Sequence, residues 1–350
     1  MDYFSWLVYG IFMVIACALA YKTERKNYDP VWLGITYLFV VVFWGIRYDI
    51  GNDYQGYRGI FSDIKYGGWS YVEPGFYFLN KLFAWSETGY IGVLAVSTAL
   101  IYFFLFKTFT RYRVLFFGLL FSLAFQYQFM AANQVRQAIV IAAFLYALRF
   151  VEDHKYWRYV LFMTLMASIH FTALFMIAAL VMARIRIPSW GWLCLIVGSY
   201  GLLLVGAFKT VGGKLMMALP FYQVYQASEF RMSAEETGFS IVMLFWVIIA
   251  LYLLLYRKTI NRPVLFNIYM IGVVSYIVFF EFHLLNRMVQ YFTLINILLA
   301  SILCKNDFRK GLPLLLISFV AFNLLSARAP DKNGIQPYQT IFEQKLERYK

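Results

Sequence analysis

Charge is what this chain has least of. Only 14% of its 350 residues are Asp, Glu, Lys or Arg, against roughly 25% in soluble domains. That shortfall excludes an ordinary water-soluble enzyme. Cysteine is equally scarce. Cys17, Cys194 and Cys304 each lie in an apolar segment, and no CxxC pair occurs. A disulfide scaffold and a cysteine-ligated zinc site are both excluded, leaving buried thiols. The three histidines, His154, His170 and His283, share no motif and offer no zinc signature. No Asp-x-Asp pair appears, so neither a metal nor a cofactor is expected. An internal repeat and a low-complexity tract are also missing, which argues against a transporter built from paired halves.

What fills the chain instead is hydrocarbon. Hydrophobic residues make up 62% of it, and the mean hydropathy is +0.65. Apolar runs of roughly 20 residues recur from end to end, the length of a membrane-crossing helix. A β-barrel would alternate over shorter segments. The net charge of +13 does not point to nucleic acid, because the basic residues sit between apolar runs and not on one soluble face. The expected fold class is an all-α polytopic membrane protein with about 12 transmembrane segments.

Basic clusters set the expected orientation. They are Lys22/Arg25/Lys26, Lys107/Arg111/Arg113, Arg149/Lys155/Arg158, Arg184/Arg186, Arg257/Lys258/Arg262 and Lys305/Arg309/Lys310. With all six loops cytoplasmic, both termini are periplasmic. Helices are expected near 3–21, 31–47, 89–106, 113–130, 134–150, 157–169, 171–183, 188–208, 239–257, 263–281, 287–304 and 311–327. The N-terminal run Trp6–Ala20 reads as a retained first helix, because its basic residues follow it. Residues 157–183 would span about 40 Å as one helix, more than a bilayer core of about 30 Å. A break at Ser168-Ile169-His170 restores the sign rule. Glu73-Pro74 opens a short helix near 72–85, expected as a re-entrant or interfacial outer helix. The chain then reads as a single transmembrane domain, 1–350. Its outer segments are a catalytic-type loop at 47–88, a loop at 209–238 and an amphipathic C-terminal tail at 328–350.

The most polar stretch is Arg47 to Phe61. It carries Asp49, Asp53, two arginines, three tyrosines and three glycines. Tyr54 and Tyr57 offer flat faces suited to sugar rings, and Arg47 a fork suited to phosphate. Asn133-Gln134-Val135-Arg136-Gln137 opens an outer helix end, with Asn133 as the expected cap. Asn286-Arg287 opens another, with Gln290 one turn on. Two arginine-bearing helix N-termini could hold a diphosphate. Snorkelling arginines are the plain alternative. Asp49, Asp53, Glu73 and His170 are the candidate bases. Asp53 is preferred on its sequence distance from Arg47, and His170 is the rival because imidazole titrates near neutral pH.

The run Arg-Tyr-Asp-x-Gly-x-Asp-Tyr-x-x-Tyr at 47–57 resembles the signature of EpsG-like, Wzy-type bacterial polysaccharide polymerases. Further elements of that resemblance follow in order: Glu73-Pro74, Asn133 to Gln137, His170-Phe171-Thr172, Arg287 with Tyr291-Phe292, and Pro337-Tyr338. The resemblance implies a multi-pass glycosyltransferase of the bacterial inner membrane. Its substrates would be undecaprenyl-diphosphate-linked oligosaccharides, polymerised at the periplasmic face as O-antigen, capsule or exopolysaccharide. The lipid bilayer and a chain-length regulator protein are the partners it implies, and nucleic acid is not among them. A flippase of lipid-linked oligosaccharide and an O-antigen-ligase-like enzyme remain the alternatives.

Overall fold

The computed structural model describes residues 2–68, 72–208, 241–280, 283–328 and 334–343. Among them every regular element is helical. The chain divides into two compact units, Met1–Ile177 with Ala300–Lys350, and Ala178–Leu299.

Helix α1, Tyr3–Arg25, is capped by Asp2, whose carboxylate accepts from the N–H groups of Phe4 at 3.1 Å and Ser5 at 3.3 Å. Helix α2, Pro30–Gly45, begins the same way, with Asp29 as cap and proline in the first turn. Both starts follow from orphan N–H groups that need a side-chain acceptor. The polar segment 47–88 folds into two helices, α3 at Tyr54–Tyr66 and α4 at Pro74–Phe83. The second is a helix where one was expected near 72–85, and Glu73 takes its cap position. The first was not anticipated. It buries Tyr54, Phe61 and Ile64, leaves its polar side outward, and ends on Gly67 at φ 76°. Left-handed backbone of that kind suits glycine.

Helix α5 spans Gly89–Tyr112, and α8 spans Val135–Glu152 and packs along it. Residues 137–145 of α8 are all buried, so it sits at the centre of the first unit. Between them the expected helix at 113–130 is broken into α6, Leu115–Ala124, and α7, Tyr127–Asn133, bent by 65°. Gln126, at φ 58°, makes the bend. Helix α9 covers Tyr156–Met166. The chain then turns at 167–170 and continues as a 3-10 segment, Phe171–Ala178, into α10, Ala179–Met182. The expected break at Ser168–His170 is present.

The second unit holds α11 at Ser189–Leu204, α12 at Ile241–Leu255, α13 at Arg257–Ile260, α14 at Pro263–Val278 and α15 at His283–Thr293. Gly272 lets α15 lie close on α14, since a Cβ there would meet Phe292 Cβ at 2.4 Å. Two further helices, α16 at Ile295–Asn306 and α17 at Phe308–Arg328, complete the chain.

Among the described residues, three stretches are long and apolar enough to cross a membrane: Tyr3–Arg25, Gly89–Tyr112 and Leu285–Asn306. The bent pair α6–α7 would make a fourth. The remaining apolar helices run only 10–17 residues. A helical membrane protein is therefore what the sequence encodes; the described helices supply three or four of the 12 expected crossings. The segment 209–238, expected as an outer loop, lies outside the described residues. In the tail, residues 334–340 are not helical and Ile341–Glu343 form a 3-10 turn; the rest of the expected amphipathic stretch, 344–350, lies outside the described residues. Arg47 and Thr340 form an antiparallel bridge, the Tyr48 N–H donates to Gln339 O at 2.9 Å, and the Gly51 N–H donates to Gly334 O at 2.8 Å. The Tyr338 ring stacks on Phe43, and its N–H donates to Ser5 Oγ. The strap supplies partners for the backbone of 46–51, which no sheet would otherwise satisfy.

Candidate functional site

The site is built where three breaks in helical structure meet in the first unit: the start of α4, the start of α8 and the turn after α9. Glu73 caps α4 by backbone position alone, and its carboxylate makes no bond to its own helix. It reaches instead to the other two breaks. Oε2 accepts from Arg136 at 2.6 Å. Oε1 accepts from the Phe171 N–H at 3.0 Å and bonds His170 Nδ1 at 2.8 Å.

The turn answers in kind. The N–H groups of Gly75 and Phe76, orphans of the first turn of α4, both donate to Ser168 O, at 2.7 and 3.3 Å. This closeness demands glycine at 75, because a Cβ would lie 2.6 Å from Ser168 Oγ and 2.8 Å from Ser168 O. Reciprocal bonds thus lock Glu73-Pro74-Gly75-Phe76 to Ser168-Ile169-His170-Phe171.

Electrostatics fix the protonation pattern. Burial pushes the Glu73 carboxyl up. The bonds from His170 and the Phe171 N–H, with the Arg136 charge, outweigh it and hold the group at about 2. An ionised carboxylate only accepts, so His170 Nδ1 carries the proton that bridges them. The lone pair is then on Nε2. His170 has no other side-chain hydrogen bond among the described residues, and one-fifth of its side chain is exposed. A carboxylate-oriented imidazole with a free second nitrogen is the arrangement of a general base.

Arg136 stands in the first turn of α8, above the Phe76 ring at 5.6 Å. The Tyr57 phenol of α3 stands beside Arg136. Burial raises the Tyr57 phenol, and the arginine partly offsets that. Arg136 retains a quarter of its side-chain exposure. A guanidinium has five donors, so those left over are suited to an anion.

Other expected site residues lie differently. Arg47 is only 4% exposed and donates to Trp44 O at 2.6 Å and Thr98 Oγ1 at 2.9 Å. It ties the end of α2 to the middle of α5, its backbone being paired to the tail at Thr340. Tyr54 is 2% exposed, packed with Tyr48, Phe61, Phe76 and Tyr90, and presents no face to a sugar. Asp49, at φ 50°, accepts from the Gln55 side-chain amide at 2.5 Å. Asp53 is exposed at the cap position of α3. The two acids do not share a helical face, as Gly51 at φ 105° lies between them.

Asn133 does not cap α8. Gln134 occupies that position, and Asn133 Oδ1 accepts from the Asn52 N–H, tying the 47–53 segment to the α7–α8 junction. Gln137 is buried in α8. Arg287 and Gln290 stand on α15 in the second unit, where the helix begins at His283 and not at Arg287. Among the described residues no group of three or more His, Cys, Asp or Glu could hold a metal. Tyr57 as a partner of Arg136, and the Ser168 carbonyl against Gly75, were not legible beforehand. The only hints were the tyrosine-rich run and the glycine after Glu73-Pro74.

Apolar helices and a charged, histidine-bearing site at their interruptions define an integral membrane protein with the makings of group-transfer chemistry. The EpsG family profile matches residues 31–340, so the chain belongs to the EpsG family. That membership points to a polysaccharide polymerase of the glycosyltransferase type. No curated protein and no solved structure matches the chain.

Proposed function

We propose that the protein polymerises undecaprenyl-diphosphate-linked oligosaccharide units at the periplasmic face of the inner membrane, with His170 as the general base. The observation that carries this reading is the Glu73–His170 bond at 2.8 Å beside the Glu73–Arg136 pair at 2.6 Å. The acceptor sugar hydroxyl approaches Nε2, which takes its proton. The hydroxyl oxygen attacks the anomeric carbon of the donor. The bond from that carbon to the diphosphate breaks, and polyprenyl diphosphate leaves with the electron pair. Glu73 holds Nδ1–H and stabilises the imidazolium as it forms. Arg136 stabilises charge on the departing diphosphate from a helix N-terminus. Tyr57 stands beside Arg136 on the first unit.

This reading prefers His170 over Asp53. A base is most effective when its proton affinity matches working pH, and imidazole meets that condition where a carboxylate does not. The test is polymer formation by purified protein from one lipid-linked unit. His170→Gln should bind the donor but form no polymer. Polymer from His170→Gln, with none from Asp53→Asn, returns the base to the carboxylate.

A further inference from the structure

A cavity lined by none of the glycosyl-transfer residues lies in the first unit. It measures about 240 Å³ and is walled by α1, α2, α6, α7 and α17. Tyr9, Trp44 and Phe129 are buried and form its floor. Gly10, Met13 and Phe319 are half-buried and frame its opening. Among the described residues, none that lines it is charged.

The polar tips of the lining are taken up or sealed in packing. The Tyr9 hydroxyl donates to Ile335 O at 2.8 Å, and the Gln128 side-chain amide donates to Leu123 O at 3.3 Å. The Trp44 indole nitrogen and Gln128 Oε1 are buried. The space is therefore bounded mostly by carbon. An apolar cavity of about 150 Å³ stays dry and takes a benzene ring, so this one has room for about ten carbons. Gly10 keeps it open, since a Cβ there would meet nothing within 4 Å.

Depth is the second argument. Helix α1 is long and apolar enough to cross a membrane. Gly10 stands seven residues beyond Tyr3, about 10 Å along the axis, which is the depth of lipid chains and not of headgroups. Leu7, Ile11 and Val14 of α1, and Leu316 and Val320 of α17, are exposed around the opening. In an integral membrane protein such a surface faces hydrocarbon.

Continuity with the transfer centre names the occupant. Phe129 lies on α7, and Arg136 follows it by seven residues, at most about 25 Å of chain. A lipid whose diphosphate meets Arg136 has its chain within reach of this cavity. A bulk phospholipid has no such anchor.

We propose that the cavity takes about two five-carbon units of the donor's polyprenyl chain, an inference that rests on the polymerase reading. The test uses full-length protein in neutral detergent with undecaprenyl diphosphate, so that no polymer need form. Native mass spectrometry and thermal unfolding read binding. A polyprenyl diphosphate carrying a diazirine near its head should crosslink within Trp6–Met13 or Leu123–Phe129. Gly10→Leu fills the space without a clash and removes a glycine from a helix interior, so it should fold. It should weaken undecaprenyl diphosphate binding about tenfold or more, because each carbon withdrawn from burial changes affinity roughly fourfold. Ile11→Phe, on the exposed face beside it, should leave affinity unchanged. Wild-type protein that binds no undecaprenyl diphosphate overturns the polymerase reading and this inference with it. Wild-type affinity in Gly10→Leu, or crosslinks confined to other segments, overturns the cavity alone. Equal crosslinking there by phosphatidylglycerol with a diazirine in its acyl chain overturns the assignment to the donor.

Discussion

Glu73→Gln is the most informative substitution, because it keeps the side chain's shape and removes only its charge. The carboxylate accepts on both oxygens, from Arg136 on one side and from His170 and the Phe171 N–H on the other. A glutamine has one acceptor oxygen and one NH2. With the oxygen toward His170, the NH2 confronts the Arg136 guanidinium, donor against donor. With the oxygen toward Arg136, the NH2 confronts Nδ1 and the Phe171 N–H. Nδ1 must then accept, the proton moves to Nε2, and the base is lost. Either orientation forfeits one charge-assisted bond, worth about 1.5–3 kcal/mol. The wrong tautomer also removes general-base catalysis, typically 10²–10⁴-fold. The assay is polymer yield per unit time from a purified lipid-linked unit, with donor binding measured in parallel. The expected outcome is a rate loss of about 10²-fold or more, with donor binding changed far less. Glu73→Asp should recover part of the rate by restoring the charge. Wild-type turnover in Glu73→Gln would refute the oriented-imidazole reasoning outright.

The Glu73 carboxyl sits at about 2 against an ordinary 4.5. Its stabilising contribution is therefore complete above that ordinary value and is lost as pH falls toward 2. The melting difference between wild type and Glu73→Gln should hold constant above pH 5 and shrink below it, as thermal scans across pH would show. Arg136→Lys keeps the charge but loses the fork that meets Glu73 and Tyr57; donor affinity should fall about 10–100-fold, read by equilibrium binding. Gly51→Ala should destabilise by about 1–3 kcal/mol, because φ is 105° and a Cβ would lie 2.8 Å from Ala132 O; denaturant unfolding measures it. Cysteines placed at Asn52 should react with an impermeant reagent in intact spheroplasts, while those at Asn27 and Asn261 should not.

Composition and periodicity determined the class of this protein. A chain this short of charge must place its helices in hydrocarbon, where each backbone group finds a partner inside its own helix. Local chemistry also marked several boundaries, since caps and first-turn prolines act on their immediate neighbours: Pro30 opens α2, and Glu73-Pro74 opens α4. His170 was visible at a break because an apolar run of that length cannot be one short span. Sequence could not say where the polar side chains of separate segments meet. Arg47 and Arg136 look alike in one dimension, yet one is sealed against Trp44 and Thr98 and the other meets Glu73 and Tyr57. The backbone that carries Arg47 is paired along 46–51 with 334–341, contacts nearly three hundred residues apart. The choice of His170 over Asp53 is of the same kind. It rests on a carboxylate 97 positions away fixing one ring nitrogen, a long-range hydrogen bond that no local pattern encodes.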